Sequence, residues 1–271
     1  AWQMTLVVAM AMAVGIFISS GQVFRNQAAV QSIFVMGLLP TPGAAFTRWT
    51  DALIGGAVAL VAASIVPAAP LRRPGEQAAV VAKKIASLLR AAGQVMLDAD
   101  AVHGLKVLAD ARATDPLIRE LQDASDEGMS VLAVSPFRFR HRSHVHRMAE
   151  LVEPLDRALR STRVLVRRAA VSAYRGDVVP ESYYQLAFGL ADAVDVVEAE
   201  LRAGRSPDGL SQEARSVLLA VGEHSAEVER TESLNAEVIL VQIRSIIVDL
   251  LGVTGMGQFE ATDALPPLPS R

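Results

Sequence analysis

Charge is segregated along this chain in a way that few folds accommodate. The first 71 residues hold only Arg25, Arg48 and Asp51 as charged side chains, against 26 basic and 29 acidic residues in the whole. The full chain carries −3 and that first stretch +1, so the remainder carries −4. An apolar quarter followed by a charged three quarters predicts two parts in unlike surroundings. The same split explains why 51% of the residues are hydrophobic and why the mean hydropathy reaches +0.32, both high for a chain with this much charge.

A helix needs about 20 predominantly apolar residues to cross a bilayer. Trp2 to Ser19, Gln27 to Phe46 and Arg48 to Ala69 approach that requirement. Pro40 and Pro42 interrupt the middle stretch and predict a broken or re-entrant helix there. The chain opens on Ala1 straight into an apolar run, with no basic stretch before it and no small-residue cleavage site after it. That favours a membrane helix over a signal peptide and predicts the C-terminal part of a longer protein. Arg72, Arg73, Lys83 and Lys84 follow the third stretch and place its end in the cytoplasm, because basic residues gather on that side. The expectation is a multi-pass protein of the bacterial inner membrane. Residues 1–71 would supply its last two or three transmembrane helices, 72–255 a cytoplasmic helical domain, and 256–271 a disordered tail ending in Leu265-Pro266-Pro267-Leu268-Pro269.

From Glu76 to about Gly255 no stretch alternates with period two, and Pro, Gly or Asp stand where helices should end. The fold class is therefore all-α, a helical bundle after the membrane helices, with helices near 75–100, 101–113, 115–134, 136–175, 180–204 and 209–253. Met148, Leu151, Leu155, Leu159, Thr162 and Val166 recur every three or four residues, forming one face suited to packing. Val238 to Val253 is apolar on nearly all sides but contains Arg244 and Asp249, which predicts a buried core helix or a subunit interface, and hence a homo-oligomer.

Two groups of polar residues are candidates for function. In the apolar part, Arg48 and Asp51 lie at i, i+3 and can pair on one helical face, one turn before Gly55 and Gly56, where another backbone or a substrate can approach closely. Gln27 and Gln31 lie at i, i+4. Anchoring and tight packing is the simpler reading of these six; a substrate pathway is the functional one, since polar groups at membrane depth are costly. In the polar part, Arg138, Arg140, Arg142 and Arg147 cluster with His141, His144 and His146 after Ser135-Pro136, a cap and a first-turn proline. The simpler reading is a solvated basic face in an acidic domain. The functional one is contact with anionic membrane lipids or an anionic solute.

Other chemistries are excluded or unsupported. With no cysteine there is no disulfide, thiolate or Cys-ligated zinc. His144 and His146 do not share a helix face, so they make a poor metal pair. No Walker-type loop, G-x-G-x-x-G, G-x-S-x-G or H-E-x-x-H is present, so neither catalysis nor a cofactor is expected. Nor is a nucleic-acid partner.

Several motifs in order resemble the fusaric acid resistance-like, or aromatic acid exporter, family (FUSC). They are Gln27-Ala28-Ala29-Val30-Gln31-Ser32, Arg48-x-x-Asp51-Ala52-Leu53-Ile54-Gly55-Gly56-Ala57, Ser135-Pro136-Phe137-Arg138-Phe139-Arg140 with Val164-Leu165-Val166-Arg167-Arg168, and Val248-Asp249-Leu250-Leu251-Gly252-Val253-Thr254-Gly255. The resemblance implies an energised exporter of aromatic carboxylic acids or similar organic anions, with Arg48 offsetting the substrate carboxylate and Asp51 as its resting partner or a protonatable site. The alternative is a membrane-anchored helical scaffold or regulatory interaction protein, in which Arg48 and Asp51 are replaceable.

Overall fold

The computed structural model describes residues 6, 9, 10, 49–58, 69–134, 142–204 and 212–268. All regular structure among them is helical, so the chain is all-α. It divides into two compact units, Ala1–Ile65 and Val66–Arg271. In the first, residues 49–58 form a helical stretch on which Asp51, Leu53, Ile54, Gly55, Gly56 and Val58 are all exposed.

The second unit contains α1 (Ala69–Asp98), α2 (Ala101–Arg112), α3 (Asp115–Val134), α4 (Arg142–Glu150), α5 (Val152–Arg175), α6 (Glu181–Arg202), α7 (Gln212–Glu227), α8 (Leu234–Val253) and α9 (Gln258–Asp263). Helix α1 is the hub, packing against α6 most extensively and also against α5, α3, α2 and α4. Its inner face alternates small and large residues, with Ala78, Ala82, Ala86 and Ala92 beside Ile85, Leu88 and Leu89, all essentially inaccessible. Small side chains let neighbouring helix axes come close while the large ones fill the gaps. Helix α8 closes the bundle against α5, α7, α6 and α9. Its Ile239, Leu240, Ile243, Ile246, Ile247 and Leu250 are fully buried, so the apolar segment ending at Val253 belongs to the core of its own chain.

Helix α2 shows how local sequence sets a boundary. Ala99 takes a left-handed φ of 51° that ends α1. Asp100 then caps α2, its carboxylate accepting from the backbone N–H of Val102 at 2.8 Å and of His103 at 3.2 Å. Asp100→Ala is expected to cost about 1 kcal/mol, read as a lower urea midpoint at unchanged slope.

The structure corrects several expectations. Among the described residues no helix is long and apolar enough to cross a membrane, which overturns the multi-pass inner-membrane assignment and the placing of its helical domain by that route. Helix α8, apolar along most of its length, carries Glu237, Arg244 and Asp249, charges that a lipid-facing span would have to bury.

The helix expected over 136–175 is two helices meeting at Leu151. Pro154 lacks an N–H and its ring would clash with the carbonyl of Glu150 in a continuous helix; it is tolerated as the third residue of α5, where that N–H needs no partner. The predicted face survives the break, with Met148, Leu151, Leu155, Leu159, Thr162 and Val166 all buried. The helix expected over 209–253 is likewise two, α7 and α8, because Ser233 caps α8. The tail expected to be disordered from residue 256 folds: α9 forms, Leu265 is buried, and Leu268 packs on the core.

Candidate functional site

Helices α6 and α7 touch but leave between them, toward the segment that joins α7 to α8, an open pocket of about 980 Å³. From α6 come Glu181, Ser182, Gln185, Leu186 and Gly189, and from α7 Val217, Ala220, Val221, His224 and Glu227. The α7 residues recur at i, i+3, i+4 and i+7, so one helical face forms the wall. Its adjoining flank, with Leu218, Gly222 and Ser225, is buried in the bundle. Gly189 keeps the α6 wall open, since a Cβ built there would have nothing within 4 Å.

Val228, Glu229, Arg230 and Thr231 form the end of the pocket, and a buried carboxylate holds them in place. Glu237, only 5% exposed, accepts from Arg230 Nε at 2.9 Å and Nη2 at 2.5 Å on one oxygen. Its other oxygen accepts from the Thr231 N–H at 2.9 Å and the Tyr183 hydroxyl at 3.1 Å. Four charge-assisted bonds saturate both lone-pair sets and offset the cost of burying the charge. Burial alone would push the Glu237 carboxyl up, but the bonds from Arg230, Thr231 and Tyr183 outweigh it and hold it below the ordinary value of 4.5. Burial, and then the Glu237 charge, push the Tyr183 hydroxyl up to about 12, so it stays a donor throughout the physiological range.

His224 contributes a polar edge. Its Nδ1 lies 2.7 Å from the carbonyl oxygen of Ala220, which can only accept. The proton therefore sits on Nδ1, and in the neutral ring Nε2 is an acceptor. No cluster of metal-ligating residues occurs among the described residues.

Among the described residues, none of those singled out from the sequence lines this pocket. Asp51, Gly55 and Gly56 share the exposed helical stretch 49–58, and a Cβ built at either glycine would have nothing within 4 Å. Gln27, Gln31, Arg48, Arg138 and Arg140 lie outside the described residues. Arg142 begins α4, and Arg147 is exposed on the same helix. The missed site has a sequence signature, the stripe Val217, Ala220, Val221 and His224, but reading 209–253 as one helix concealed the joint that closes the pocket.

A protein of Corynebacterium glutamicum, described as uncharacterized, is 32% identical over 273 residues, covering 98% of this chain and 69% of the relative. The chain belongs to that protein's family. No family model matches the sequence, and no solved structure is significantly similar to it.

Proposed function

We propose that the helical unit is a ligand-binding domain of the regulatory, interaction-protein class, and that its ligand occupies the pocket between α6 and α7. The observation that carries this reading is the pocket itself. Its volume of about 980 Å³ lies at the upper end of the range for small-molecule sites, and such sites combine apolar walls with a few fixed polar groups. Here Leu186, Val217, Val221 and Val228 supply the walls. The Arg230–Glu237–Tyr183 network fixes the end, so little ordering remains to be done when a ligand enters.

The test is a thermal-shift screen of the full chain against small amphiphiles of differing charge. A ligand present at 100 times its Kd stabilises by about 2.7 kcal/mol, which corresponds to a Tm rise of roughly 5–10 °C for a domain of this size. Gly189→Trp fills the open wall and is expected to abolish the shift while leaving the unliganded Tm near that of the wild type. Shifts that persist in Gly189→Trp would place the ligand elsewhere.

Export of an aromatic carboxylate is the rival proposal. Its support is the order of the FUSC-like motifs, with Asp51, Gly55 and Gly56 together on one exposed helical stretch. Efflux of radiolabelled aromatic carboxylates from cells expressing the protein, compared with Arg48→Ala at matched abundance, decides it: loss confined to the variant favours export, and no efflux from the wild type removes the proposal.

A further inference from the structure

We infer that the α6–α7 pocket selects an organic cation with an apolar body, and disfavours organic anions. The inference rests on reading that pocket as a binding site, and it follows from where the charges around the pocket are already spent. Three carboxylates line it, those of Glu181, Glu227 and Glu229, and they stand at its margin. The guanidinium that lines it, Arg230, is bound through Nε and Nη2 to Glu237, so its charge is cancelled within the fold. His224 has its Nδ1 proton committed to the Ala220 carbonyl and offers an acceptor when neutral. The margin therefore presents acceptors and negative charge over a floor of Leu186, Val217, Val221 and Val228.

An anion entering this pocket would lose water beside three like charges and gain no uncommitted basic partner among the lining residues. A cation would exchange water for carboxylates while its apolar body covered the valine and leucine floor, so both contributions have the same sign. Among the described residues no aromatic ring lines the pocket other than the His224 imidazole, so recognition would come from charge pairing and apolar burial, without the aromatic cage that many ammonium sites use.

Two ions of the same shape and opposite charge test this directly. Tetraphenylphosphonium and tetraphenylborate are titrated calorimetrically into the full chain, into Gly189→Trp, and into the double variant Glu227→Gln/Glu229→Gln, whose replaced side chains lie outside the Glu237 network. The expected result is at least tenfold tighter binding of the phosphonium. That preference should fall several-fold in the double variant and in raised salt, and binding should disappear in Gly189→Trp. Equal binding of the two ions, abolished by Gly189→Trp, would overturn the charge selectivity and leave the pocket intact as a site. Tighter binding of the borate would overturn it in the same way. Binding of neither ion, or binding unchanged by Gly189→Trp, would overturn the pocket as the site and the selectivity with it.

Discussion

Arg230→Met is expected to lower the stability of the helical unit by about 3–5 kcal/mol, because it strands a buried carboxylate without its counter-charge. Glu237 is 5% exposed and cannot turn to water, whereas Arg230 retains partial access. The reverse change, Glu237→Gln, is therefore expected to cost less: its amide oxygen still accepts from Tyr183 and Thr231, and the released guanidinium can find solvent. The double variant Arg230→Met/Glu237→Gln should recover much of the loss of the single Arg230→Met. Urea unfolding of the four proteins measures the coupling. If both single losses were small and additive, the network would not be what fixes the 228–231 segment. The pH dependence has a defined sign. The folded pKa of Glu237 lies below its ordinary 4.5, so its contribution is fully present above that value and is lost as pH falls through the folded pKa. The stability gap between wild type and Glu237→Gln should hold from neutral pH down to about 4.5 and shrink below it. A gap that widened on acidification would mean that the carboxylate is destabilised by its surroundings.

The parts of this fold that were legible in the sequence are those set by periodicity. The face running from Met148 to Val166 is buried as its spacing requires, and α3 begins at the residue expected, Asp115. The breaks at Leu151 and at 228–233 were harder to read, because neither interrupts the hydrophobic pattern. Pro154 ends one helix without disturbing that spacing, and the Ser233 cap that starts α8 is joined by a contact the sequence does not show, Glu237 reaching back to Arg230 and Thr231. The candidate site was hidden for the same reason. Glu181, Glu227 and Glu229 read as ordinary solvated charges until the turn brings them around one cavity. Basic clusters drew attention in the sequence because they are dense, yet Arg147 is an exposed residue of a short helix. Arg230, the one Arg at the pocket among the described residues, is isolated in sequence and meaningful only through its partner.

Deleting residues 265–271 is expected to cost about 2.5–6 kcal/mol, the sum of a lost leucine burial and a lost acceptor, although composition marks that segment as a dispensable proline-rich tail. Leu265 is buried against α7, and the contact is close: a Cβ at Gly222 would lie 3.3 Å from the Leu265 Cγ. Burying a leucine contributes about 1.5–3 kcal/mol. The deletion also removes the carbonyl of Pro266, which accepts from Arg244 Nη2 at 2.5 Å while Nη1 donates to the Ser225 hydroxyl. Burial already pulls the Arg244 pKa down, so this guanidinium is a poorly solvated cation whose lost acceptor adds about 1–3 kcal/mol. Arg244→Met in the shortened chain should restore that second part and leave the first. Deleting 269–271 alone leaves Leu265, Pro266 and Leu268 in place, and should change the urea midpoint little. Gly222 and Ser225 lie on the buried flank of α7 that adjoins the stripe of Val217, Val221 and His224, so the tail braces the helix that carries this wall of the pocket. The longer deletion is therefore expected to weaken ligand binding at temperatures where the domain is still folded. Unchanged binding there would show that α7 holds its position through α6 and α8 alone.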